Sequence, residues 1–74
     1  MRRYRFTKAE GAANDFVIVE DLDRVIPMEE RQEFTRLACH RRRGVGADGS
    51  IFLERSDALD FTMAFYNPDG SHGS

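Results

Sequence analysis

Tryptophan is absent from this sequence, and cysteine occurs once, at Cys39. A single thiol excludes an internal disulfide and fits a reducing compartment. Neither charge dominates: the formal net charge is −2, which removes the electrostatic case for a nucleic-acid partner. No apolar run is long enough to span a bilayer, and Arg2, Arg3 and Arg5 are not followed by the apolar stretch a signal peptide needs. A soluble, cytoplasmic protein is therefore expected, with no membrane partner. Repeats, low-complexity segments and internal linkers are also missing, and no metal site is expected. With 74 residues and 41% hydrophobic composition, the chain is one domain at most. A chain of that size buries only about 60% of the surface its unfolded form exposes. It is accordingly expected to be part of something larger or to lean on an obligate partner.

What is present reads as a short series of elements. Tyr4, Phe6 and Lys8 alternate with Arg5 and Thr7, the period of a strand with one apolar face. Gly11 to Asp15 interrupts it. Phe16-Val17-Ile18-Val19 is a β-branched run suited to a strand buried on both faces, and Glu20 to Asp23 ends it in charge. Pro27 suits the first position of a helix, with Glu29 and Glu30 in the first turn, so a helix is predicted from Pro27 to Arg42. Its packing stripe is predicted as Phe34, Leu37 and Ala38, with Arg31, Glu33 and Arg36 facing water. Cys39 beside that stripe reads as a small buried thiol rather than a nucleophile, because no positioned base can be argued for it.

The basic cluster His40-Arg41-Arg42-Arg43 could hold phosphate, but at a helix end its cations more simply offset the macrodipole and orphan carbonyls. Gly44 to Gly49 matches G-x-G-x-x-G in letters only. The dinucleotide motif leaves a strand and opens a helix, whereas this one follows a helix and precedes the strand Ile51-Phe52-Leu53. Gly44 is read as the left-handed cap of the helix, with Asp48 bonding back to the loop. After a polar connection from Glu54 to Leu59, Phe61, Met63 and Phe65 alternate in a last strand. The order β-β-α-β-β predicts an α+β fold, with a mixed or antiparallel sheet carrying the helix on one face.

That last strand delivers Asn67-Pro68-Asp69-Gly70-Ser71. Pro68 and Asp69 suit the central positions of a β-turn, and Gly70 takes the positive φ of its exit. Asn67 can simply cap this turn. Its uncharged amide, with two donors and an acceptor, also suits a zwitterionic amino acid.

Three segments carry a resemblance: Gly11-Ala12-Ala13-Asn14-Asp15-Phe16, Arg42-Arg43-Gly44-Val45-Gly46-Ala47-Asp48-Gly49 and Tyr66-Asn67-Pro68-Asp69-Gly70-Ser71. In this order and spacing the chain resembles the N-terminal part of diaminopimelate epimerase. The resemblance implies a cofactor-independent isomerase that interconverts LL- and meso-2,6-diaminopimelate through two facing cysteines, on the route to lysine and cell-wall precursors. One thiolate takes the α-proton and the opposite thiol returns one. Carried over by position, Asn14 and Asn67 would contact the substrate. Cys39 matches neither catalytic cysteine, so no catalytic residue is assigned within residues 1–74. Gly49 falls where some relatives use a Gln, and it has no side chain for that contact.

The resemblance also implies that the first catalytic cysteine falls two positions beyond Ser74, at the start of a central helix around which the sheet wraps. Its partners would then be the remainder of its own chain, an amino acid substrate and a second copy in a homodimer. Alone, the 74 residues are expected to be inactive and poorly folded. Departures are Ala12 and Ala13 before Asn14, and His72-Gly73-Ser74 where relatives often carry an acidic residue. Two alternatives stand beside this reading: another cofactor-independent amino acid racemase of the same fold, and a non-catalytic interaction module.

Overall fold

The structure, a computed structural model, describes residues 4–11, 13–57 and 60–73. The expectations placed on Arg2, Arg3, Ala12, Leu59 and Ser74 lie outside the described residues. Strands β1 (Phe6–Glu10) and β2 (Asp15–Glu20) precede helix α1 (Met28–Cys39), which is followed by β3 (Ser50–Arg55) and β4 (Phe61–Tyr66). The predicted element order therefore holds, and the fold is α+β. The strands form one mixed sheet in the order β1-β2-β3-β4. β1 and β2 pair antiparallel, as do β3 and β4. β2 and β3 run parallel, which requires a crossover, and α1 supplies it.

Strand alternation divides the sheet into two unlike faces. Val17, Val19, Phe52 and Tyr66 lie on the α1 side and are at most 2% exposed. Ser50 shares that face, and its hydroxyl meets that of Thr35 at 2.5 Å in the buried seam between helix and sheet. The Thr35 hydroxyl also donates to the Arg31 carbonyl at 2.7 Å, so the Ser50 hydroxyl is the donor between the two. Phe34 packs edge-on against Phe52, with centroids 6.0 Å apart. On the opposite face lie Phe16, Ile18, Ile51, Leu53, Phe61, Met63 and Phe65, and no described element covers it. Phe61 is 58% and Met63 70% exposed. β2 is thus fully buried only towards α1, not on both faces as its composition suggested.

The helix corrects the predicted stripe at two positions. Arg31 is 5% exposed and faces the sheet, whereas Leu37 is 56% exposed and faces water. The residues buried from α1 are Arg31, Thr35 and Cys39, spaced i, i+4, i+8. Apolarity alone could not find this stripe, because two of its three members are polar and are satisfied by partners on other elements. Arg31 donates to Asp21 at 2.7 Å and to the Ile26 carbonyl at 3.0 Å, and pairs with Glu54 at 2.5 Å. Glu33 and Arg36 do face water, and they pair with each other.

The helix is also shorter than predicted. Pro27 is its N-cap rather than its first residue, and it ends at Cys39 with His40 extended at φ −63° and ψ 125°. The three arginines therefore lie in the turn beyond the helix, where the His40 Nδ1 accepts the N–H groups of Arg42 and Arg43 at 3.2 and 3.1 Å. Gly44 is not the left-handed cap. That conformation falls at Gly46, with φ 73°, whose N–H reaches back to the Ala38 carbonyl at 3.0 Å. Gly44 is needed for a different reason: a Cβ there would collide with the carbonyl oxygens of Leu37 and Ala38.

Candidate functional site

The strand directions bring three loops to one end of the sheet. β2 and β3 begin there, β4 ends there, and the β1–β2 connection turns there. Asn14 belongs to the first loop, Gly46 to Gly49 to the second and Asn67 to the third. The first two are stitched together through main chain and side chain. The Asp15 N–H donates to Asp48 Oδ2 at 2.9 Å, while the Asp48 N–H donates to the Asp15 carbonyl at 2.8 Å. The Val17 N–H then bonds the Gly49 carbonyl at 3.1 Å. Asp48 thus reaches across to β2 and also bonds back to its own loop as expected, where its Oδ1 accepts from Arg41 at 3.0 Å. Lys8 completes this border 3.6 Å from Asp15.

Asn14 is exposed, and its side chain makes no hydrogen bond among the described residues. Its carbonyl accepts the Gly11 N–H at 2.8 Å, which closes the β1–β2 turn. Closure here relies on the main chain, so the amide is left available.

The Asn67 loop is more tightly specified. The Gly70 N–H donates to the Asn67 carbonyl at 2.8 Å, and the Asn67 N–H to the Ser71 carbonyl at 2.8 Å. Gly70 takes φ 92°, as the turn reading required. A second constraint acts on it, because a Cβ there would stand 2.9 Å from the Gln32 carbonyl and so pins this turn to α1. The Asn67 Nδ2 donates to the Ser71 hydroxyl at 3.0 Å, so Asn67 does cap its own turn. That uses one N–H. Its Oδ1 and the second N–H make no hydrogen bond among the described residues, which leaves a half-buried amide able both to cap and to bind. Hydrogen bonds from the hydroxyl and N–H of Ser71 hold the Asp69 carboxyl below the ordinary aspartate range.

Phe65 links the loops from the face that α1 leaves open. Its ring meets that of Phe16 edge-on, with centroids 5.5 Å apart. A Cβ on Gly49 would stand 2.8 Å from two atoms of the Phe65 ring and from the Tyr66 carbonyl, and a Cβ on Gly73 would collide with the same ring. Two glycines therefore bracket one aromatic ring beneath the loops. Glycine-containing loops flanking an alternating aromatic strand hinted at this packing, but spacing alone could not pair them. His72 stacks obliquely on Tyr66, with centroids 5.1 Å apart, on the helix side.

Cys39 is buried and lies away from Asn14 and Asn67 in role. Burial pushes its thiol pKa up, and the nearby Asp48 carboxylate adds to the effect, so it stays protonated and inert at neutral pH. No cluster of histidine, cysteine and acidic side chains able to hold a metal occurs among the described residues.

Known proteins resemble the chain in sequence. The sequence profile of the family described as Diaminopimelate epimerase matches residues 6–74. A diaminopimelate epimerase of Archaeoglobus fulgidus is 42% identical over 73 residues, covering 97% of this chain and 26% of the relative. One of Methanopyrus kandleri is 47% identical over 68 residues, covering 90% of this chain and 24% of the relative. One of Clostridium perfringens is 36% identical over 70 residues, covering 95% and 25%. The chain thus spans about a quarter of the length of the curated relatives it matches. A profile match over residues 6–74, together with relatives 36% or more identical over at least 90% of the chain, shows that the chain belongs to the diaminopimelate epimerase family.

Proposed function

We propose that these residues form the opening part of a cofactor-independent isomerase that inverts an α-carbon of 2,6-diaminopimelate, interconverting the LL and meso forms in the cytoplasm. The observation that carries the reading is the convergence of the Asn14, Gly46–Gly49 and Asn67 loops on one sheet end, with two amides left open for hydrogen bonding. In this reading Asn14 and Asn67 hold the substrate by its charged groups. The proton is moved by a pair of cysteine thiols supplied from outside residues 1–74, one removing it and the other returning one to the opposite side. A proton beside a carboxylate is very weakly acidic, so the carbanion needs fixed dipoles in a site closed to water. The sheet face bearing Ile18, Ile51, Leu53 and Phe65 would serve that closure by receiving a helix from the rest of the protein, which a second copy would join as a homodimer.

In the whole protein carrying this segment, Asn67→Leu removes both hydrogen-bonding ends of the amide at similar volume. We expect kcat/KM for α-proton exchange into diaminopimelate to fall roughly ten- to a hundredfold, on the order of 1.4 to 2.8 kcal/mol. Unchanged kinetics would return Asn67 to the role of a turn residue. The isolated 74 residues are expected to catalyse no exchange and to melt without a sharp transition, because the apolar face opposite α1 stays in water. Cooperative melting with dispersed amide resonances would refute the second expectation, and exchange at the rate of the whole protein the first.

A further inference from the structure

The Asn67 amide is chemically two-sided, since one end accepts hydrogen bonds and the other donates them. Which end faces outward decides what it can recognise. Three hydrogen bonds in the turn decide that orientation. The Ser71 hydroxyl donates to Asp69 Oδ1 at 2.7 Å, and the Ser71 N–H donates to the same oxygen at 2.8 Å. The Asn67 Nδ2 donates to the Ser71 hydroxyl at 3.0 Å.

A hydroxyl has one proton, and an ionised carboxylate can only accept. The Ser71 proton is therefore committed to Asp69, and only its lone pairs face Asn67. Of the two ends of the Asn67 amide, only the NH2 can meet a lone pair favourably. The flipped amide would set Oδ1 against the Ser71 oxygen at 3.0 Å with no proton between them.

We propose that Asp69 and Ser71 are positioning residues that hold the Asn67 Nδ2 to the turn and leave Oδ1 open, making it an acceptor for the ammonium group of the amino acid substrate. The inference rests on the reading of Asn67 as a substrate contact. It adds the polarity of that contact and the residues that set it. Neither Asp69 nor Ser71 need touch the substrate, and both stay exposed at the surface of the turn.

The test is steady-state kinetics on the whole protein with diaminopimelate, accompanied by thermal melting of each variant. Asp69→Ala and Ser71→Ala free the amide to turn over, and each is expected to raise KM about five- to tenfold with a much smaller change in kcat. Ser71→Thr keeps the hydroxyl, and Asp69→Asn keeps an acceptor pinned by the Ser71 N–H. Each should restore most of the affinity that its alanine counterpart loses. In an Asn67→Ala background, Asp69→Ala should add nothing further to KM, because its effect is transmitted through the missing amide.

A purely structural role would lower the melting temperature without this pattern. If Asp69→Ala leaves KM unchanged, or adds its full effect on top of Asn67→Ala, the relay is refuted while the substrate contact stands. If Asn67→Ala itself leaves KM unchanged, the contact fails and the relay to substrate fails with it. These outcomes are distinct in the same set of variants.

Discussion

Arg31→Met is expected to destabilise the whole protein by roughly 3–5 kcal/mol, the cost of leaving buried carboxylates without their cation. Asp21 is 4% and Arg31 5% exposed. The Asp21 carboxylate accepts from the Val25 and Ile26 N–H groups at 2.9 and 3.0 Å as well as from Arg31. Arg31 in turn pairs with Glu54 on β3 and lies over the Phe52 ring at 4.8 Å. One side chain thus joins α1, the loop leaving β2 and the far end of β3. Methionine fills most of the volume, so the loss reads charge and hydrogen bonding rather than a cavity. By contrast, Glu33→Ala removes an exposed pair with Arg36 and should cost at most about 0.5 kcal/mol. Urea denaturation at neutral pH measures both, and a loss below about 1 kcal/mol for Arg31→Met would show the network to be well hydrated.

The same network has a pH signature. Burial opposes ionisation of Asp21, but the hydrogen bonds from Arg31, Ile26 and Val25, with the charge of Arg31, outweigh it and hold its pKa below the ordinary aspartate value. A carboxylate with a depressed folded-state pKa stabilises above its unfolded pKa, and that contribution is lost as pH falls through the folded value. The gap between the unsubstituted protein and Arg31→Met should therefore narrow in acid.

Gly49→Gln is expected to cost about 3 kcal/mol, at the upper end of overpacking penalties. The new Cβ would lie 2.8 Å from the Phe65 ring and 2.8 Å from the Tyr66 carbonyl. The ring is bracketed along the sheet, because Gly73 closes on its other edge and Phe16 meets it 5.5 Å away. Phe65→Ala should make room. The double variant is expected to fall short of the summed single losses by more than about 1 kcal/mol, a coupling that denaturant unfolding can measure. Additive losses would mean that the ring does not occupy the space at residue 49.

Much of this was legible in the residues themselves. Local rules governed the strand alternation from Phe61 to Phe65, the turn at Pro68-Asp69-Gly70 and the acidic opening of the helix at Glu29 and Glu30. Each of those preferences is decided within a few neighbouring residues, through backbone sterics or the helix field. Three dispersed motifs pointed to the family, from which Asn14 and Asn67 are proposed as substrate contacts. What they could not show was how β2 and β3, far apart in the chain, lie parallel and carry Asp15 against Asp48.

Tertiary structure alone decided which side of α1 is inward. Leu37 reads as core and Arg31 as surface by apolarity, yet the positions are reversed, because Arg31 finds Asp21, Glu54 and Phe52 on three other segments and so satisfies its charge when buried. Long-range partners likewise explain why Gly44 must be glycine without taking a left-handed φ, and why Phe65 needs glycines on both sides. A side chain's own chemistry sets what it requires, and only the packed fold determines whether a distant segment supplies it.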